Sequence, residues 1–193
     1  MRRLATLLAV LAVTVGCSTA VPTDTPGVAR LGKAVLRYQG PEVEAVVAYR
    51  FATASIGDPW LLLDLAVTGA TSDSVEIPRD GIWVRTEEDE VVPLVSQEDF
   101  ATEYPRLQGV ITRANIAADP LDYWAGRTDC ALDFLVAPGA GIAQSSTWVN
   151  DHRVCTGRLF FALPHGVQPG HYTLGIDLAE SKIRIPFELK DRS

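Results

Sequence analysis

A mainly β, antiparallel sandwich carrying a short helical insertion is the fold that this 193-residue sequence predicts. Three observations lead there. Apolar and polar residues alternate at period two along most of the chain beyond residue 32, as half-buried strands do. Turn-forming residues punctuate those stretches at Gly40-Pro41, Gly57-Asp58-Pro59, Arg79-Asp80-Gly81 and Pro169-Gly170. One region, 96–127, abandons the alternation for helical spacing.

Taken in order, Val43, Ala45, Val47, Tyr49 and Phe51 share one face of an early strand, and Leu61, Leu63, Leu65 and Val67 one face of the next. Near the end, Tyr172, Leu174, Ile176 and Leu178 alternate with His171, Thr173 and Asp177. Ile183, Ile185, Phe187 and Leu189 alternate with Lys182, Arg184, Glu188 and Lys190. Further candidate strands cover 33–39, 74–78, 81–86, 91–95, 131–137 and 156–163. Many short strands with hairpin-like punctuation make a sandwich or a barrel. Within 96–127, Ser96-Gln97-Glu98-Asp99 resembles a capping box, and Leu107, Val110, Ile111 and Ala114 follow Pro105 at helical spacing. The expectation is one or two short helices, either covering an open end of the sandwich or closing over a ligand.

The N-terminus determines where the chain works. Met1-Arg2-Arg3 precedes an apolar run from Leu4 to Val15, interrupted by Thr6 and Thr14. A cationic start and an apolar core of about a dozen residues describe a secretory signal peptide over 1–16, too short for the roughly 20 residues of a membrane span. The stretch Val13-Thr14-Val15-Gly16-Cys17 resembles the lipobox of bacterial lipoproteins, with Thr14 where leucine is usual. That resemblance implies cleavage before Cys17 and a diacylglyceryl group on its sulfur, anchoring the chain outside the cell membrane. Ser18, standing where a sorting aspartate would be, points by the same resemblance to an outer membrane if the host has one. Residues 17–31 then read as a lipidated, flexible tether, with the folded domain over 32–193.

Removing residues 1–16 leaves 15 basic against 24 acidic residues, a net charge of −9. That excludes a nucleic-acid partner and a broad electrostatic grip on anionic lipid. Beyond Cys17, the remaining cysteines are Cys130 and Cys155, an even pair in an exported chain and so an expected disulfide.

A second resemblance concerns the fold. WLLLDLAVTGATSDSVEIPRDGIWVRTEEDEVVPL is similar to the first half of the immunoglobulin-like extracytoplasmic domains of the DUF4352 type, and GRLFFALPHGVQPGHYTLGID to their closing half. It implies an immunoglobulin-like sandwich. The insertion at 96–127 and the Cys130/Cys155 pair depart from that pattern.

Catalytic and metal chemistry find no support in the residues. His165 and His171 flank a turn without a third ligand, and zinc takes three or four. Ser145, Ser146, Asp151 and His152 lie close together with no G-x-S-x-G elbow. The expectation is no catalytic residue, no metal and no cofactor. Aromatic residues offer the better lead: Tyr123 and Trp124 end the insertion, and Trp148 lies inside the cysteine loop with His152 four residues on. Drawn together by the disulfide, these four form a binding surface, or else they plug the end of the sandwich. The expected role is a non-catalytic interaction module presented to another envelope protein. The alternative is a small-ligand or glycan binder, which needs the aromatics in a groove with polar partners such as Asp119, Asp122 or Asn150.

Overall fold

The structure, a computed structural model, describes residues 20–191. The expected signal peptide and Cys17 lie outside the described residues. In chain order the elements are β1 (Val21–Pro22), β2 (Val28–Arg30), β3 (Val35–Gln39), β4 (Val43–Ala48), α1 (Arg50–Ala54), β5 (Trp60–Gly69), β6 (Val75–Pro78), β7 (Ile82–Arg85), β8 (Val91–Pro93), α2 (Gln97–Ile116), β9 (Thr128–Ala131), β10 (Ser146–Val149), β11 (Arg153–Ala162), β12 (Gly170–Asp177) and β13 (Lys182–Leu189). A seven-stranded sheet in the order β1-β2-β3-β4-β5-β11-β9 packs on a four-stranded sheet, β13-β12-β7-β8, and a short β10-β6 ladder stands apart from both. Among the described residues all pairings are antiparallel except β9 with β11. This is the mainly β sandwich with a helical insertion that the sequence predicts.

Strand β5 shows why the larger sheet is covered twice. Its sequence, WLLLDLAVTG, is apolar on both faces apart from Asp64 and two small C-terminal residues. A strand with so continuous an apolar run needs cover on each side. Leu61, Leu63, Leu65 and Val67 enter the main core, with Leu159 and Phe161 of β11 beside them and Leu174, Ile176, Ile183 and Ile185 coming from the smaller sheet. On the reverse face Trp60 and Leu62 meet Phe100, Leu107 and Ala114 of α2 together with Phe160. Further along the same face Ala66, Val46 and Val154 meet Trp124. Each fully buried side chain of this kind contributes about 1.5–3 kcal/mol.

Helix α2 begins as its sequence dictates. Ser96 is the N-cap, its hydroxyl oxygen accepting the Asp99 N–H at 2.9 Å, while that hydroxyl donates to the Asp99 carboxylate at 2.6 Å. Gln97 then fastens the first turn to the loop after β9, donating to the Val136 carbonyl at 2.8 Å and accepting the Val136 N–H at 2.9 Å. The helix runs unbroken through Pro105 to Ile116, so the insertion is a single helix of 20 residues followed by an irregular segment.

Four readings change. The tether expected over 17–31 ends early, because β2 pairs with β3 and Val28 is buried in the main core. Phe51 leaves the face shared by Val43 to Tyr49: the chain turns into α1 there, and the ring joins the cluster under α2. The candidate strand 131–137 keeps only its first residue in a strand. Leu132 and Phe134 do point into the core, but the Val136 N–H bonds the Gln97 side chain rather than a neighbouring strand. Conversely β10 forms inside a segment with a polar, loop-like sequence, pairing Thr147 with Ile77.

Candidate functional site

The reverse face of the large sheet carries two covers, α2 and the segment after it, and a gap lies between them. Asp64 interrupts the apolar run of β5 there. In register across the ladder stands Arg158 of β11, and the two form an ion pair at 2.7 Å with side chains 17% and 16% exposed. Arg158 also donates to the Asn115 side chain at 2.8 Å, which ties the last turn of α2 to the sheet. Two residues earlier Arg113 reaches Asp58 at 3.1 Å.

Beyond α2 the chain crosses the sheet and returns to β9. Asp119 lies on this path with its side chain only 6% exposed; one carboxylate oxygen pairs with Arg50. The other oxygen is buried with no hydrogen-bond partner among the described residues. Trp124 is 8% exposed and its indole N–H donates to Glu44 of β4 at 3.2 Å. Arg127 lies over the same ring, 5.9 Å from its centroid, and donates to the Thr68 hydroxyl. The indole is thereby held in one orientation by a carboxylate, a guanidinium and an apolar bed.

These pieces enclose an open cavity of about 700 Å³. Asp64, Thr156 and Arg158 form its sheet side; Asn115, Asp119, Asp122, Tyr123 and Trp124 line it from the insertion, and Asp129 from β9. Tyr123, 44% exposed, supplies apolar surface to it. A concave site with a few converging polar groups and an aromatic wall is suited to holding a small polar molecule.

The disulfide between Cys130 and Cys155 is present and closes a sequence separation of 25 residues. It does not gather the four aromatic-region residues into one surface. Tyr123 and Trp124 line the cavity, whereas Trp148 sits on β10 opposite Glu76, 51% exposed. The His152 side chain is 81% exposed beside Asp151, and its carbonyl accepts the Thr128 N–H at 2.8 Å at the start of β9. Asn150, named with Asp119 and Asp122 as a polar partner, instead shapes the turn before β11, its carbonyl accepting the Gly69 N–H at 3.1 Å. Asp64, Asn115, Asp129 and Arg158 were not singled out by sequence. For Asp64 the available signal was a lone charge inside an otherwise apolar strand. Among the described residues no group of three His, Cys, Asp or Glu is placed to hold a metal ion, and no helix is long and apolar enough to cross a membrane.

Glu44 gives the site a pH dependence. Burial, the largest influence, pushes its carboxyl upward; hydrogen bonds from Arg37 and Trp124, with the charges of Arg37 and Arg127, together outweigh burial and hold it below the usual carboxylate range. A depressed carboxyl adds stability that is present above its unfolded value and disappears as pH falls through the folded one. Glu44→Gln should therefore flatten the acid limb of the stability curve: its melting temperature should fall less than that of the wild type between about pH 6 and pH 3. Parallel curves for the two proteins would contradict this.

No family model and no curated protein matches the chain. Among solved structures, the yjhA protein of Bacillus subtilis is 14% identical at a TM-score of 0.41, the match covering 80% of this chain and 96% of that one. The ycdA protein of Bacillus subtilis subsp. subtilis str. 168, provisionally described as a lipoprotein, is 14% identical at a TM-score of 0.40. That match covers 81% of this chain and 39% of ycdA.

Proposed function

We propose that this chain is a bacterial cell-envelope lipoprotein of the DUF4352-like type, anchored through Cys17, that acts without catalysis as a binding module. The cavity beside Trp124 is its recognition site, and the ligand is small, polar and hydroxyl-bearing. The observation that carries the reading is that Tyr123 and Trp124 line one concave site with Asp119 and Asp122. This is the arrangement a small-ligand or glycan binder requires. Planar groups such as Asp, Asn and Arg engage hydroxyls in pairs, and an aromatic wall accepts a C–H face. The anchor rests on the VTVGC stretch, and the exported location accords with the disulfide.

The test uses the full chain carrying Cys17→Ser, which should leave the membrane fraction and permit calorimetric titration with a panel of small glycans. Saturable binding is expected, weakened about tenfold by Tyr123→Ala and unchanged by Trp148→Ala. Absence of any glycan binding would overturn the cavity reading. Unchanged membrane fractionation of Cys17→Ser would overturn the anchor.

A protein partner is the second reading, and exposed Trp148 favours it, with Ile142 at 89% exposure earlier in the same cysteine loop. Photo-crosslinking from position 148 in the native envelope would give a discrete protein adduct if that face docks on a partner.

A further inference from the structure

We infer that the β1 edge of the sandwich, with Arg30 and Lys33 at its corner, lies against anionic phospholipid headgroups of the leaflet that holds the anchor. The inference rests on Cys17 being lipidated, and it specifies which surface that anchor brings down to the bilayer. Its first ground is the length of the leash. Strand β1 begins at Val21, 58% exposed and only four residues after Cys17. Four residues reach about 14 Å at full extension, whatever their conformation. The large sheet is wider than that. Six strand steps separate β1 from β9, about 29 Å at the usual spacing. The headgroup layer is itself only about 5–8 Å thick. Strand β1 therefore stays close to the headgroups, and the sheet cannot stand on its β9 edge.

The second ground is charge, and it is independent of the leash. Arg30 stands opposite Val21 in the β1–β2 ladder. Its guanidinium donates to the Tyr49 hydroxyl at 3.1 Å and to the Lys33 carbonyl at 3.5 Å, both neutral groups. Lys33 is exposed in the β2–β3 turn and forms no ion pair among the described residues. Arginines on other strands are matched, Arg37 by Glu44, Arg85 by Asp89 and Arg184 by Asp177. With Lys190, Arg30 and Lys33 line a recess of about 820 Å³ beside Tyr49. Its carboxylates are Glu188, already 3.2 Å from Lys190, and Asp191. The acidic chain as a whole gives anionic lipid no broad grip, but a covalent anchor makes a broad grip unnecessary. Two unmatched cations beside that anchor have only to select the side that faces the headgroups. The cavity side is the wrong one, because exposed Asp122 and Asp129 repel like charge. The Trp124 cavity is thereby left open to water.

The experiment reconstitutes the lipidated full chain in phosphatidylcholine vesicles with and without phosphatidylglycerol, each containing a lipid with a nitroxide on its headgroup. A fluorophore is attached through Gly32→Cys, next to Lys33, or through Ile116→Cys, at the end of α2 and 84% exposed. Melting curves establish that both variants are folded. In the anionic vesicles the label at 32 should lose most of its emission, and the label at 116 should keep most of it. Adding Lys33→Glu, omitting phosphatidylglycerol or raising the salt should each restore much of the emission at 32. Comparable quenching at the two positions would overturn the inference. So would quenching at 32 that neither Lys33→Glu nor lipid charge alters. Both of these results leave the anchor reading standing, since the chain is still held on the vesicles. An N-terminal peptide whose mass shows no lipid on Cys17 would overturn the anchor reading, and this inference with it.

Discussion

Replacing Cys130 and Cys155 together by alanine is expected to lower the unfolding free energy by about 3.5 kcal/mol, the chain-entropy value for a loop of this length. The separation is 25 residues, and Cys155 is fully buried in the main core. The local consequence matters as much as the global one. Strand β9 has four residues and meets the sheet through β11 alone, in the only parallel pairing among the described residues. It terminates the segment that brings Asp119, Tyr123 and Trp124 over the sheet, so the disulfide anchors the C-terminal end of the cavity wall. Denaturant unfolding should show the loss, and ligand affinity should fall with it. Coincident unfolding curves for wild type and double mutant would show that the crosslink constrains neither state. A large stability loss with unchanged affinity would show that the wall is held by Trp124 packing instead.

Asp64→Ala is expected to cost about 2–3 kcal/mol. Removing one partner of a fully buried ion pair typically costs about 3–5 kcal/mol, and the residual exposure of Asp64 and Arg158 reduces that figure. The alanine leaves the Arg158 guanidinium on the covered side of the sheet with only the Asn115 oxygen. The sharper comparison is with Asp64→Leu combined with Arg158→Met. The flanking residues of the reverse face, Leu62, Ala66, Val154 and Phe160, are apolar. An apolar pair of similar volume should therefore recover most of the lost stability, while removing polar groups from the cavity floor. If the double variant is as unstable as Asp64→Ala, the pair holds the ladder register and is not an exchangeable insert. Chemical denaturation of the three proteins decides between these outcomes.

Much of the architecture was legible in the residues because period-two alternation reports a strand with one buried face. Strand β13 follows it residue by residue, and β12 departs from it only at the buried Gly175. The N-cap of α2 was equally legible, since the Ser96 hydroxyl finds its partner, Asp99, three residues on in the chain. The failures share a cause. Leu132 and Phe134 alternate like a strand because they reach the core, yet past Leu132, whose N–H still donates to Thr156 of β11, the backbone bonds elsewhere: the Asp133 carbonyl accepts from Gln144 and the Val136 N–H donates to Gln97. Strand β10 looks polar because its sequence says nothing of β6, which it pairs with across some seventy residues of chain. Residues 21–30 look like a tether because their pairing with β3 relies on backbone hydrogen bonds more than on apolar content.

The candidate site divides the same way. From sequence, Tyr123 and Trp124 stood out as aromatics at the end of an insertion, Asp119 and Asp122 as their potential polar partners, and Cys130 and Cys155 as a pair. Trp148 and His152 stood out equally, and the structure places them away from the cavity. Sequence alone determined what local spacing encodes: strand alternation, a helix cap, an even cysteine pair and an acidic chain. Tertiary structure alone decided that Asp64 meets Arg158, that Asn115 closes over them, and that one oxygen of Asp119 is left without a partner. Those groups lie tens of residues apart in the chain. Their meeting depends on strand order and on how α2 crosses the sheet, and no periodicity in a single sequence records either.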